Sequence, residues 1–335
     1  RRLERRTVIN HGGTMPPTIR FAHLSDIHLS KDGNQGFMAS EEATQFAART
    51  IEALNNRPDV DFIFISGDCL NNAHQAELAR FKTLVAACQK PLFIVPGNHD
   101  GNLPDEPQVF TQRQFAAAFN PHYARRPPDG QAGYFSVSVK PGVQFIGLDT
   151  AIPGRVGGEV DPPQLEWLAH ELRQHRTGLV IVGCHHPLHP LCALDTAGKW
   201  RDWFVCANGA QVQAALDSCS AVKLVLCGHH HLSQVFAAGG QLHVAAPALA
   251  SYPCGYRLIS LTAAGDGWHI DWETHFLPPP VRERAARLLQ TSDFALEFDL
   301  DSGKSFVEFA GGRPFDARFS GSLAAAHTQA RPRLE

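Results

Sequence analysis

Five apolar runs in this chain each end in residues that suit a binding site better than a core. The endings are Asp26-Ile27-His28, Gly67-Asp68, Gly97-Asn98-His99-Asp100, His185-His186-Pro187 and Gly228-His229-His230-His231. The third is the most telling. It follows an apolar run at 92–95 and a Pro-Gly turn, so Asn98, His99 and Asp100 stand together on a loop at the end of a buried strand. In an open α/β sheet, ligands gather beyond the carboxyl ends of the strands. Motifs as distant in sequence as Asp26 and His231 can therefore converge.

The segments between the motifs fit that arrangement. Residues 19–24, 61–66 and 91–95 read as strands, and 41–55 and 73–88 as helices, the first with an apolar stripe at Ala43, Phe46, Ala47, Ile51 and Leu54. A βαβαβ rhythm predicts parallel strands with helices outside. Beyond the third motif the pattern predicts a helix at 111–119, a loop at 120–133, a hairpin at 134–139 and 143–148, and a Gly-rich loop at 149–161. Residues 162–174 follow as a helix whose first turn holds two prolines, where no backbone donor is lost. Strands are expected at 179–184 and 222–227, a helix at 209–216, and strands with hairpin spacing at 234–238, 241–246, 257–261 and 268–273. Residues 188–208 show no period, and loops of that length usually serve function. After three prolines at 278–280 come a short helix at 281–289, a two-strand signal at 294–300 and 305–309, and a frayed end at 320–335. The expected organisation is a flexible extension at 1–17, a catalytic domain at 18–277 and a small α+β appendage at 278–335. The appendage is too small to stand alone, so it caps the domain or joins two copies in a dimer.

Composition narrows the class. A chain of 335 residues that is 44% hydrophobic can bury a large core. With 30 basic against 33 acidic residues it carries no broad basic face, which disfavours a nucleic-acid partner. No apolar run reaches about 18 residues, so no membrane span is expected. The basic start at 1–14 lacks the apolar stretch of a signal peptide, and Met15 stands just ahead of the first strand as a natural start. The eight cysteines contain no CxxC pair, and Cys184 and Cys227 end apolar runs as buried thiols would. That usage points to a reducing, cytoplasmic compartment; the alternative is a pairing of Cys192 with Cys206, which flank a loop.

Of 18 histidines, several fall at the strand ends. The ligand types gathered there are carboxylate (Asp26, Asp68), amide oxygen (Asn98) and imidazole (His28, His185, His229, His231). One ion of four to six ligands does not use them all, so two ions are inferred, with the Asp68 carboxylate as the natural bridge. The mixed N/O set suits Mn, Fe, Co, Ni or Zn. Two ions about 3.5–4 Å apart can hold a hydroxide and clamp a phosphoryl oxygen for in-line displacement.

The series D-x-H, G-D, G-N-H-D, H and G-H-x-H resembles that of the calcineurin-like metallophosphoesterase superfamily. The stretches HLSDIHL, LDTAIPG, PPQLEWLAHEL, HHPL and APALASYPCGYRLISL, within 19–275, resemble the class III cyclic-nucleotide phosphodiesterase and glycerophosphodiesterase branch. The resemblance implies a two-sheet β-sandwich flanked by helices. It implies one ion held by Asp26, His28, Asp68 and His231 and another by Asp68, Asn98, His185 and His229, with manganese or iron favoured. The family's histidine two before the proline selects His185 over His186, and the x of G-H-x-H leaves out His230. His99 would face the substrate phosphate and Asp100 would orient it. The chain departs from many relatives at Leu188-His189, where a second proline is common, and along 189–208.

The implied activity is hydrolysis of small phosphodiesters such as 3',5'-cyclic AMP or glycerophosphodiesters by metal-activated hydroxide. The alternatives are a phosphomonoesterase or nucleotide-sugar pyrophosphatase of the same fold, or a metal-free scaffold. Further substrate contacts are sought at Asn98, His189, Arg155, Lys199 and Arg201; an exposed Arg or Lys ordinarily meets only water. Trp200 and Trp203 could stack on a base, though anchoring their loop is the plainer role.

Overall fold

The computed structural model describes residues 18–101, 110–119, 123–126, 130–265, 267–299 and 302–330. The expected extension at 1–17 lies outside them. In chain order the first elements are β1 (Thr18–Leu24), α1 (Ser40–Asn55), β2 (Phe62–Ile65), α2 (Gln75–Ala86), β3 (Leu92–Ile94) and α3 (Gln112–Ala117). Next come β4 (Tyr123–Arg126), β5 (Gly130–Lys140), β6 (Val143–Gly147), α4 (Pro162–Gln174), β7 (Leu179–Gly183), α5 (Gly198–Phe204), α6 (Gly209–Asp217) and β8 (Val222–Cys227). Two hairpins follow, β9 (Gln234–Ala238) with β10 (Gln241–Ala245) and β11 (Gly255–Ala264) with β12 (Gly267–Phe276). The remaining elements are α7 (Pro279–Gln290), α8 (Asp293–Phe298), α9 (Lys304–Gly311), α10 (Pro314–Ala317), β13 (Arg318–Ser322) and α11 (Leu323–Gln329).

These strands form two mixed sheets. One runs β13-β12-β11-β1-β2-β3, with β1, β2 and β3 parallel; the other runs β4-β5-β6-β7-β8-β10-β9, with β6, β7, β8 and β10 parallel. Two of the parallel strands, β2 with Phe-Ile-Phe-Ile and β7 with Leu-Val-Ile-Val, are unbroken apolar runs, because both their faces are covered. Between the sheets, Phe145 of β6 meets Phe62, Phe64 and Phe93 of the first sheet at ring separations of 5.1, 4.9 and 5.5 Å. The stripe Ala43, Ala47, Ile51 and Leu54 buries α1 on the outer face of the first sheet. On the outer face of the second, Leu168 and Leu172 bury α4, whose first turn is capped by Asp161 Oδ1 accepting from the Gln164 amide at 2.9 Å.

The structure differs from the sequence reading in four places. Residues 120–133, expected as a loop, include β4 and the start of β5. Part of the aperiodic stretch 188–208 is helical, as α5. The stretches expected as strands at 294–300 and 305–309 are the helices α8 and α9, with residue 300 outside the described set. Phe294 and Phe298 lie four residues apart and Phe306 and Phe309 three apart, so each pair shares one helical face, and Ser292 caps α8. The end expected to fray is built in as far as 330. β13 pairs antiparallel with β12, and Leu323, Ala326 and Ala330 enter the core between the sheets.

A polar latch ties this last segment down. The buried Arg257 guanidinium donates to the Asp316 carbonyl oxygen, to Ser233 Oγ at 2.9 Å and to the Ala245 carbonyl at 3.2 Å. The Asp316 carboxylate accepts from the Val235 amide at 2.8 Å and from Arg313. Removing residues 278–335 therefore bares the edge of β12 and uncovers the core surface that Leu289, Phe306, Phe309 and Leu323 pack against. The expected product aggregates or lacks a cooperative thermal transition, as read by light scattering and calorimetry.

Candidate active site

The motif loops are strained, and the strain is concentrated. Asp26, His28, Asp68, His229 and His231 have φ of 52°, 44°, 48°, 68° and 59°, a left-handed conformation that costs a non-glycine residue about 1–3 kcal/mol. Bonds between the loops hold it in place. The His28 amide donates to the Asp68 carbonyl at 2.9 Å, Asp26 to Gly67 at 3.1 Å and Gly228 to His185 at 3.0 Å. The loops approach so closely that two glycines are obligatory: a Cβ at Gly97 would strike Asp68 Oδ1, and one at Gly228 would strike Ser25 Oγ.

Five strand ends thus deliver their side chains to one place. Asp26 and His28 follow β1, Asp68 follows β2, Asn98 to Asp100 follow β3, His185 follows β7, and His229 to His231 follow β8. In one group, His231 Nε2 lies 3.4 Å from Asp26 Oδ1 and 3.2 Å from His28 Nε2. In the other, His185 Nε2 lies 3.1 Å from Asn98 Oδ1 and 3.1 Å from His229 Nδ1. Asp68 Oδ2 faces both, 3.6 Å from His28 Nε2 and 3.3 Å from His185 Nε2.

The outer ring nitrogens fix how the inner ones point. His185 Nδ1 donates to the Ser66 carbonyl and His229 Nε2 to the Trp203 carbonyl, each at 2.7 Å, while His231 Nδ1 is hydrogen-bonded to Ser251 Oγ at 2.7 Å. A neutral imidazole whose outer nitrogen is the donor turns a lone pair inward. Burial, with His99 and His231 beside it, pushes His28 down to about 3, and burial with His186 and His185 holds His229 well below the usual range. Burial opposes protonation of His185, yet Asp68 and Asp26 raise it to about 9. Against its burial, Asp68 is held well below the carboxylate range by His185, His99 and His28. The proton on His185 offsets part of the Asp68 and Asp26 charge; a metal cation would take its place and meet the inward lone pairs of the neutral His28 and His229. The donor set is the mixed N/O kind that transition-metal ions take, and Asp26, His28 and His231 bring their ligand atoms within 4.8 Å of one another.

The neighbouring histidines are engaged elsewhere. His186 Nδ1 meets Thr150 Oγ1 at 2.8 Å and Nε2 donates to the Val156 carbonyl at 2.9 Å, so neither nitrogen is left over. His230 Nε2 donates to Asp195 Oδ1 at 2.9 Å in a buried ion pair; against burial, Asp195 raises the imidazole to about 10. Nothing in the aperiodic stretch around Asp195 signalled that pairing.

His99 lies beside the cluster, half-buried. Its amide donates to Asp68 Oδ1 at 2.9 Å and its ring meets the edge of His28 at 4.7 Å. Asp100 does not orient that ring. Its carboxylate accepts from the Leu70 amide at 2.9 Å and the Gly97 amide at 3.0 Å, which braces the loop, and the group on His99 Nδ1 is the Asn71 carbonyl at 2.7 Å. A cavity of about 310 Å³ opens onto His28, Asp68, Asn98, His99, His229 and His231. His189 is not among its lining residues; Nε2 meets Gln213 Oε1 at 2.9 Å and the ring packs on His243. Lys199 pairs with Glu297 of α8 at 2.7 Å. Arg155 and Arg201 line a neighbouring cavity that shares Val156 and Trp203 with the first. Trp200 is buried among Phe204, Phe294 and Phe306 as an anchor, whereas Trp203 borders the cavity.

A two-sheet sandwich with these clustered carboxylates and imidazoles defines a calcineurin-like phosphoesterase. The model of that family, Calcineurin-like phosphoesterase, matches residues 19–233, and the chain belongs to it. It is therefore a hydrolytic phosphoesterase of a family that uses a dinuclear metal centre. Among individual proteins, it is 25% identical over 279 residues to the 3',5'-cyclic adenosine monophosphate phosphodiesterase CpdA of Haemophilus influenzae, covering 83% of this chain and 93% of that one. It is 23% identical over 212 residues to the glycerophosphodiester phosphodiesterase GpdQ of Enterobacter lignolyticus, covering 63% and 70%. A solved dimetal phosphatase from Danio rerio shares the fold with a TM-score of 0.58 at 15% identity, over 76% of this chain and 95% of that one.

Gly228→Ala tests the crowding directly. Its Cβ needs the space of Ser25 Oγ, itself hydrogen-bonded to Ser66 Oγ at 2.7 Å. Overpacking of this kind costs about 1–3 kcal/mol, which a denaturant titration of the variant should show as a lowered midpoint with an unchanged slope.

Proposed function

We propose that the chain is a dinuclear metal-dependent phosphodiesterase acting on small phosphodiesters, with 3',5'-cyclic AMP and glycerophosphodiesters as the substrates suggested by its relatives' names. The observation that carries the reading is Asp68, whose carboxylate faces one ligand group through His28 and the other through His185. Asp26, His28, Asp68 and His231 hold one ion and Asp68, Asn98, His185 and His229 the other; manganese or iron fits this N/O set. Such a pair supplies Lewis-acid polarisation of the phosphoryl group and lowers the pKa of water. The eight cysteines, all free, support a reducing compartment such as the cytoplasm.

The protein's own contribution to proton transfer is His99. With Nδ1–H held by the Asn71 carbonyl, its Nε2 is the nitrogen left for substrate. As imidazolium it donates to a phosphoryl oxygen while charge builds, or protonates the departing alkoxide.

Asp68→Ala is expected to abolish activity and to lose both ions by plasma emission, while His186→Ala and His230→Ala, whose rings are occupied elsewhere, keep them. On the manganese-loaded protein, kcat/KM for diesters should exceed that for p-nitrophenyl phosphate; a monoester that outpaces every diester refutes the reading. His99→Ala should keep the ions and lower kcat by about 10²–10⁴-fold for alkyl diesters. The loss should be smaller for nitrophenyl leaving groups, which need little protonation. An equal loss for both would make His99 a hydrogen-bond donor to the phosphoryl oxygen instead of the acid.

A further inference from the structure

One wall of the active-site cavity comes from outside the five motifs. Leu289, Phe294 and Phe306, on α7, α8 and α9, line it together with Phe37 and Phe204. Phe294 reaches across, its ring edge-on to Phe37 at 6.0 Å and to Phe204 at 5.7 Å, and Phe37 in turn stands edge-on to His231 at 6.4 Å. Helix α8 is thus joined by ring contacts, through Phe37, to His231.

The polar groups of the cavity lie in one class. Among the described residues that line it, every polar or charged side chain other than the indole of Trp203 is Asp68, Asn98 or a histidine of the motif loops; no Ser, Thr, Gln, Lys or Arg side chain joins them. A phosphate has partners there. Among the described residues a hydroxyl-rich ester group finds none on the phenylalanine wall, so its hydroxyls would leave water without a replacement there. An apolar ring gains from the same wall by burial and by offset or edge contacts with the phenylalanines. A volume of about 310 Å³ is at the small end of ligand pockets and leaves room for about one ring-sized group beside the phosphate.

We propose that this wall selects phosphodiesters whose ester group presents an aromatic or hydrocarbon face, with Phe294 and Phe306 as specificity-determining residues. The proposal rests on the phosphodiesterase reading above and narrows it: glycerol-type diesters are the poorer substrates.

Two symmetric diesters with alkoxide leaving groups of similar basicity test it on the full manganese-loaded chain: dibenzyl phosphate and bis(2,3-dihydroxypropyl) phosphate. The expected kcat/KM favours the dibenzyl ester by about tenfold or more, within the range a hydrophobic pocket achieves. Phe294→Ala and Phe306→Ala should shrink that ratio, chiefly by raising KM for the dibenzyl ester, and Phe294→Leu should retain most of it. Equal or inverted preference in the wild type, or a ratio untouched in both alanine variants, overturns the proposal while leaving the phosphodiesterase reading intact. If neither diester is hydrolysed, that reading fails, and calorimetric binding of benzylphosphonate against 2,3-dihydroxypropylphosphonate decides the pocket. Tighter benzylphosphonate binding, weakened by Phe294→Ala, supports the wall as the selector; equal binding overturns it.

Discussion

The Asp68 carboxylate is the interaction on which the rest of the site depends. It stands at the end of a strand buried on both faces, in a left-handed conformation. One oxygen holds the loop after β3 through the His99 amide, and the other faces histidines delivered by both sheets. A charge with so little water around it is stable only where positive partners converge. The close glycines, the strained backbone of the motif loops and the loop-to-loop hydrogen bonds all serve to bring those partners within reach.

The aromatic interior makes that precision possible. Phe62, Phe64, Phe93 and Phe145 lock the two sheets face to face just below the loops. Close-packed interiors deform little, so strand ends emerging from this core hold fixed separations. Five residues with unfavourable backbone angles amount to several kcal/mol of local cost. A loosely packed scaffold would relax it away.

How much of this was legible in the sequence follows from what each part is made of. The motif residues stood out because Asp, Asn and His at the end of an apolar run cannot be core, and β2 and β7 were plain as unbroken apolar runs. The groups that aim the rings were silent: the carbonyls of Ser66, Trp203 and Asn71 are backbone and leave no trace in residue type. Asp100 misled because adjacency to His99 suggested contact, when its carboxylate turns back to the Leu70 and Gly97 amides. Phe-Ala-Leu-Glu-Phe of α8 satisfies both a two-residue and a four-residue spacing, and only the Trp200 and Phe204 surface it meets decides for the helix. β13 was missed because Arg-Phe-Ser-Gly-Ser carries little apolar signal and needs only one partner at a sheet edge.

The candidate ligands are divided between the sheets: Asp26, His28, Asp68 and Asn98 leave the first, and His185, His229 and His231 leave the second. An occupant of that centre is thus a rivet through both layers. Its free concentration enters the folding equilibrium through mass action, since a ligand bound only by the folded state adds RT ln(1 + [L]/Kd) to stability. With the proposed ions bound there, the thermal tolerance of the whole sandwich would be a readout of ion supply, and ion starvation would loosen the two layers together with the chemistry between them.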